Sequence, residues 1–118
     1  MSWEIDDLPK RYRKQALEQS GKSSERAFMN RVITSATETN WRVFHSGDSR
    51  RDQGHKGFPD LIMLKGGVQF VLELKVKPNK PSSDQRVWVA EFEKAGAIAR
   101  VAYEEDEAWI EGTLNGLP

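Results

Sequence analysis

Gly57-Phe58-Pro59-Asp60-Leu61-Ile62-Met63-Leu64-Lys65-Gly66-Gly67-Val68-Gln69-Phe70-Val71-Leu72-Glu73-Leu74-Lys75-Val76 reads as two strands joined by a tight turn. Apolar, β-prone runs lie on either side of Gly66-Gly67, and glycines adopt the positive φ angles that a two-residue hairpin turn demands. Strands are therefore expected over 60–65 and 68–76. If Lys65 pairs with Val68, Ile62 falls opposite Val71 and Asp60 opposite Glu73. A four-residue loop from Lys65 to Val68 keeps the same pairing. Directly opposed side chains have Cβ atoms about 4.5–5.5 Å apart. Two carboxylates at that range repel by about 3 kcal/mol at an effective dielectric of 20. A strand pair has no structural reason to accept this cost, whereas a divalent cation would turn the repulsion into attraction. Lys75 shares a face with Glu73, because side chains alternate along a strand. The other face reads Val68, Phe70, Leu72, Leu74 and Val76, and is core. The plainer reading makes Asp60 a strand-edge residue and Glu73-Lys75 a solvated pair; the opposed acid favours a site.

Upstream, residues 46–58 are polar and glycine-containing, which predicts a loop, and 41–45 read as a strand. Phe28, Met29, Val32, Ile33 and Ala36 form one stripe of a helix over 24–37. Before it, Asp7 caps a further helix that Leu8 and Pro9 open and Gly21 closes. Downstream come a loop over 77–81, a helix over 83–95 stopped by Gly96, a strand over 98–103 and a closing helix over 106–114. Helices and strands in this order describe one mixed α/β domain.

Glu25 precedes Phe28 and Met29 by three and four positions and so lies on the inward stripe of its helix. Its ordinary role would be a first-turn acid favoured by the helix dipole. Gln85 precedes Trp88, Val89 and Phe92 at helical spacing and also faces inward. Ser82 to Gln85, however, has the Ser-x-x-Gln spacing of a capping box, which explains the glutamine equally well.

The totals set the outer limits. A chain of 118 residues, 31% charged and 37% hydrophobic, suits one soluble domain with a modest core. No apolar run reaches the roughly 20 residues of a membrane helix. The opening Met-Ser-Trp-Glu-Ile-Asp-Asp lacks the features of a secretion signal. Cysteine is absent, which removes disulfides and thiolate metal sites. An intracellular protein is expected. Net charge is zero, yet residues 1–80 carry 15 Lys and Arg against 10 Asp and Glu, and residues 81–118 carry 3 against 8. Such asymmetry can set a basic face beside an acidic tail, although a solvated mixed surface accounts for it too.

These residues resemble the PD-(D/E)XK nuclease superfamily and, within it, the VRR-NUC domain. Gly57-Phe58-Pro59-Asp60-Leu61 is similar to its proline-aspartate motif, and Glu73-Leu74-Lys75 to its acid-x-lysine motif. Pro81-Ser82-Ser83-Asp84-Gln85 is similar to the segment leading to its helical glutamine, and His45-Ser46-Gly47-Asp48-Ser49-Arg50-Arg51 to the loop before the proline-aspartate motif. The resemblance covers about 25–101, with no departure at the core positions. It implies a restriction-endonuclease-like mixed β-sheet flanked by helices, a nuclease domain over 23–118 and a helical extension over 1–22 outside the match. It also implies phosphodiester cleavage, with stand-alone members acting as homodimers on branched DNA such as Holliday junctions.

The expected chemistry is Mg²⁺-dependent hydrolysis of DNA, with Mn²⁺ as a substitute and no other small-molecule cofactor. Asp60, Glu73 and the Leu74 carbonyl are the expected metal ligands, with Glu25 acting directly or through water. Lys75 would orient the attacking water or stabilise charge on phosphorus, and Gln85 would position water or a phosphate oxygen. Ser49, Arg50, Arg51 and Lys56 are candidates for phosphate contact, although each is individually at home in a solvated loop. His45 could donate to phosphate, but a single strand-end histidine is commonly structural. With His55 it still lacks the further ligands of a zinc site. A compact stand-alone nuclease would suit the cytoplasm of a bacterium or of a phage-infected host. Two other readings stand beside this one. One is a DNA-binding accessory module without catalysis, and the other an interaction protein with Trp88 and Trp109 on a partner surface.

Overall fold

The expected turn forms at Gly66 and Gly67, whose φ angles are +56° and +81°. It joins β2 (Leu61–Lys65) to β3 (Val68–Leu74) in antiparallel pairing. The register runs from Lys65↔Val68 through Ile62↔Val71 to Leu61↔Leu72, as the hairpin reading requires. Asp60 sits one residue before β2. Its carbonyl accepts the Ser46 N–H at 2.9 Å, which continues the pairing of β2 with β1 (Arg42–His45). The computed structural model describes residues 25–46 and 56–116. The expected first helix after Asp7, the 1–22 extension and most of the 46–58 loop lie outside the described residues.

Beyond β3, α2 (Ser83–Lys94) leads to β4 (Ile98–Ala102), which pairs in parallel with β3. A parallel neighbour requires a crossover connection, and α2 supplies it. The result is a mixed four-stranded sheet in the order β1-β2-β3-β4, within a single α/β domain. The opening helix α1 spans 25–38. A 3₁₀ turn over Glu104–Asp106 leads into α3 (Glu107–Asn115), so the closing helix starts a residue later than its sequence suggests. Asp106 explains the shift, because its side chain accepts the Tyr103 N–H and ends the strand in a turn.

The core lies on one face of the sheet. Phe28, Val32 and Ala36 of α1 and Ile110 and Leu114 of α3 pack on Leu61, Met63, Phe70, Leu72, Leu74 and Ala102. Trp41 fills the gap between the two helices and the sheet, and its indole N–H donates to the Leu114 carbonyl at 3.0 Å. Arg31 of α1 holds Glu107 through two nitrogens and reaches Glu104 at 3.1 Å, tying the helices together at the surface. The opposite face of β3 carries Val71 and Glu73, both buried. It is covered by α2, whose only buried residue is Val89. Trp88 and Trp109 have partners inside the chain. Trp88 packs on Phe58 and Phe92, and Trp109 meets Phe70 edge-on with Arg100 over its ring.

Candidate active site

Glu73 is a carboxyl one residue from the end of the central strand β3 and only 2% exposed, the one buried polar or charged residue among the described residues. Its Oε2 accepts the Gln85 side-chain N–H at 3.2 Å and lies 3.8 Å from Lys75 Nζ. Its Oε1 is fully buried and has no hydrogen-bond donor. Leaving a carboxylate oxygen without a donor inside a protein costs several kcal/mol, so natural structures rarely tolerate it without a reason.

The neighbouring carboxyl is Asp60. Its Oδ2 accepts the Leu74 backbone N–H at 2.9 Å, which turns the side chain toward the end of β3. Two ionised carboxylates offer each other only acceptors, so the closeness of Asp60 and Glu73 is unfavourable unless a proton or a cation comes between them. Burial raises the pKa of Glu73 far above the ordinary carboxylate range, and the Asp60 charge raises it further against the pull of Lys75. Asp60 is also raised, by burial first, partly offset by the Leu74 N–H and by the nearby Lys75 and His45. Without a cation the pair therefore holds a proton at neutral pH.

Glu25 stands at the margin of this cluster. With Arg26, Met29, Asp60 and Leu74 it lines a cavity of about 200 Å³ at the end of the sheet. Its carboxyl is raised by burial and by Asp60, while Lys75 draws it down. No three of the described His, Asp or Glu side chains converge on one point closely enough to hold an ion. Asp60 and Glu73 thus form the inner pair, and Glu25 faces it across the cavity. Two adjacent carboxyls suit Mg²⁺, which keeps several waters and is usually bound through one or two acids plus substrate phosphate.

Gln85 resolves into both of its readings. Its backbone N–H donates to Ser82 Oγ at 3.2 Å, and its side-chain oxygen accepts the Ser82 N–H at 2.8 Å, completing the capping box. That leaves the amide nitrogen for Glu73. The cap therefore fixes the rotamer that delivers the donor, and α2 is oriented by the same residue it presents.

Gly57 is a component that the sequence reading quoted without assigning it a role. It has φ +83°, and a Cβ built there would stand 2.7 Å from the Asp84 carbonyl carbon and 2.8 Å from the Gln85 nitrogen. The chain from Lys56 to Pro59 therefore lies against the first turn of α2, close enough that only glycine fits. Trp88 secures the contact, donating from its indole to the Lys56 carbonyl at 3.1 Å. Lys56 itself is exposed, with Nζ 4.0 Å from Asp84. His45, at the end of β1, lies near enough to act electrostatically on Asp60. Pairing of 41–45 with 60–65 would have brought it there, and that pairing was not legible before the fold was known. Ser49, Arg50 and Arg51 lie outside the described residues.

Compared with known proteins, the chain matches no family model, no curated protein and no solved structure. No helix among the described residues is long and apolar enough to cross a membrane.

Proposed function

We propose that the protein is a divalent-metal-dependent endonuclease that hydrolyses DNA phosphodiesters, of the VRR-NUC type within the PD-(D/E)XK superfamily. The observation that carries this reading is the buried, donorless Oε1 of Glu73 beside the Asp60 carboxyl, with Gln85 and Lys75 on the other oxygen. A purely structural carboxyl would be satisfied on both oxygens, whereas one awaiting a cation is satisfied on one only. A mixed sheet with helices on both faces, the acid pair at the end of its central hairpin and a capped glutamine helix supports the same assignment.

Asp60, Glu73 and the Leu74 carbonyl would hold Mg²⁺ or Mn²⁺, with Glu25 acting through water across the cavity. Bound there, the ion would polarise the scissile phosphate and lower the pKa of the attacking water. Loading the site would require the pair to release its proton to solvent. Lys75, 15% exposed at its side chain, keeps its ammonium beside the carboxyl pair and stabilises negative charge building on phosphorus. Gln85 holds Glu73 in one rotamer through Oε2, and Oε1 is left without a donor. Lys56, with Ser49, Arg50 and Arg51, contacts phosphates.

One such centre cuts one strand, so scission of two strands calls for two copies, and a homodimer would match the two-fold symmetry of a four-way junction. The cytoplasm of a bacterial or phage-infected cell is the corresponding compartment. Cleavage of matched linear, nicked, flapped and four-way DNAs with and without Mg²⁺ tests the reading. Metal-dependent cutting that prefers a branched substrate is expected. Binding without cutting under all metals would replace it with a non-catalytic DNA-binding role.

A further inference from the structure

The sheet face that carries Glu73 is only half covered. α2 lies over β3 and β4, and among the described residues no helix packs on the same face of β1 and β2. Its rungs follow from the pairing. Arg42 stands beside Leu64 and Gln69, and Phe44 stands beside Ile62 and Val71. The next rung is Asp60 and Glu73. These rungs are two residues apart, so successive ones are separated by ~7 Å. That spacing is close to the reach of one extended nucleotide.

Each rung offers something different. Phe44 is 58% exposed and Leu64 49%, an aromatic and an aliphatic side chain displayed on the strand face that carries the carboxyl pair, Phe44 one rung from it and Leu64 two. At the far end, a groove of about 650 Å³ wraps the hairpin turn, lined by Asn40, Arg42, Leu64 and Gln69 and, from the opposite face of the hairpin, by Lys65 and Val68. No acidic residue lines it. Arg42, exposed and on the same rung as Leu64 and Gln69, is the cation that this face itself presents there. A cation and amides at one end, an exposed ring in the middle and the acid pair at the other end make a graded path.

We infer that this face is a track for an unpaired nucleic-acid strand, which enters at the Arg42–Gln69 end, stacks a base on Phe44 and presents a phosphate at Asp60. Charge complementarity favours a polyanion over a second copy of the chain or an apolar peptide, since the groove is cationic and without acids. Stacking favours an unpaired strand over a duplex, because a base can lay its face on a protein ring only when it is out of the helical stack. The purpose of the track rests on the nuclease reading, since it would select flaps and unpaired arms at branch points; binding along it does not.

Fluorescence anisotropy with the full chain in EDTA separates the two. The probes are a short fluorescein-labelled oligothymidylate and a blunt duplex of equal length. The oligothymidylate should bind tighter than the duplex, and Phe44→Ala should weaken it by about tenfold or more while Phe44→Trp retains it. Arg42→Gln should lower the slope of log affinity against log salt by about 0.7. Both side chains are exposed, and thermal melts of each variant establish that the fold is kept. If Phe44→Ala and Arg42→Gln bind the oligothymidylate as the wild type does, the track is wrong, even should the protein cut DNA. The same holds if Phe44→Ala abolishes self-association in sedimentation while oligonucleotide binding stays intact. If the track binds as expected and Mg²⁺ brings no cleavage, the nuclease reading fails and the track stands.

Discussion

Removing one charge from the acid pair should stabilise the metal-free protein, and Asp60→Asn is the cleanest way to do it. Asparagine keeps an oxygen for the Leu74 N–H that Asp60 now accepts at 2.9 Å, so the local backbone bond survives. What disappears is the repulsion with Glu73, about 3 kcal/mol for opposed side chains at an effective dielectric of 20. Part of that is already relieved by the shared proton, so a gain of about 2 kcal/mol near pH 8 is expected, or roughly 8 °C in melting temperature for a domain of this size. The pH dependence has a definite sign. Glu73 is raised from 4.5 to about 9, so the folded state retains a proton that the unfolded chain has released. The stability this contributes is complete below 4.5 and is lost as pH rises toward 9. Wild-type stability without metal should therefore decline across that window. Asp60→Asn should decline less steeply, because the charge opposing Glu73 ionisation is gone while burial remains. Saturating Mg²⁺ should reverse the ranking, since only the wild type gains binding free energy. Urea and thermal melts at about pH 5, 7 and 9, in EDTA and in Mg²⁺, measure all of this. An Asp60→Asn variant that melts with or below the wild type in EDTA at high pH would show that the two carboxyls do not oppose each other energetically.

Three further outcomes follow from the same geometry. Lys75→Ala should reduce single-turnover cleavage by about 10²-fold or more, the scale of losing one charge-stabilising donor. Mg²⁺ affinity by calorimetry should stay close to wild type, and undiminished cleavage would remove Lys75 from its role. Gly57→Ala should destabilise by about 2–4 kcal/mol, from the positive φ and from a Cβ pressed against Asp84 and Gln85; a denaturation midpoint unchanged from wild type would contradict so close an approach. Ser82→Ala and Gln85→Ala should each cost about 1 kcal/mol through loss of the cap. Only Gln85→Ala should also impair cleavage, because only Gln85 touches Glu73, and equal activity losses in the two variants would assign Gln85 to capping alone.

The hairpin was legible because its information is local. A glycine pair between two β-prone runs sets the turn, the turn sets the register, and strand alternation then assigns Glu73 and Lys75 to one face and Phe70, Leu72 and Leu74 to the other. The helical stripe Phe28, Val32, Ala36 and the Ser82–Gln85 cap were legible for the same reason. Boundaries moved where a side chain intervened. Asp106 turned the end of β4 into a 3₁₀ turn, and β3 ends at Leu74 although the Lys75 N–H still reaches the Ala102 carbonyl.

By itself, then, the sequence determined the strand pair, its register and the apposition of two acids, since each depends on contacts within about 15 residues of chain. Only the tertiary structure decided which face α2 covers, that β4 joins β3 in parallel, that Gly57 is pressed on the first turn of α2, and that Phe44 and Arg42 share the face of Glu73. Those relations join residues with no local pattern linking them. Their energies come from burial and close packing among distant segments, which no spacing rule along the chain encodes.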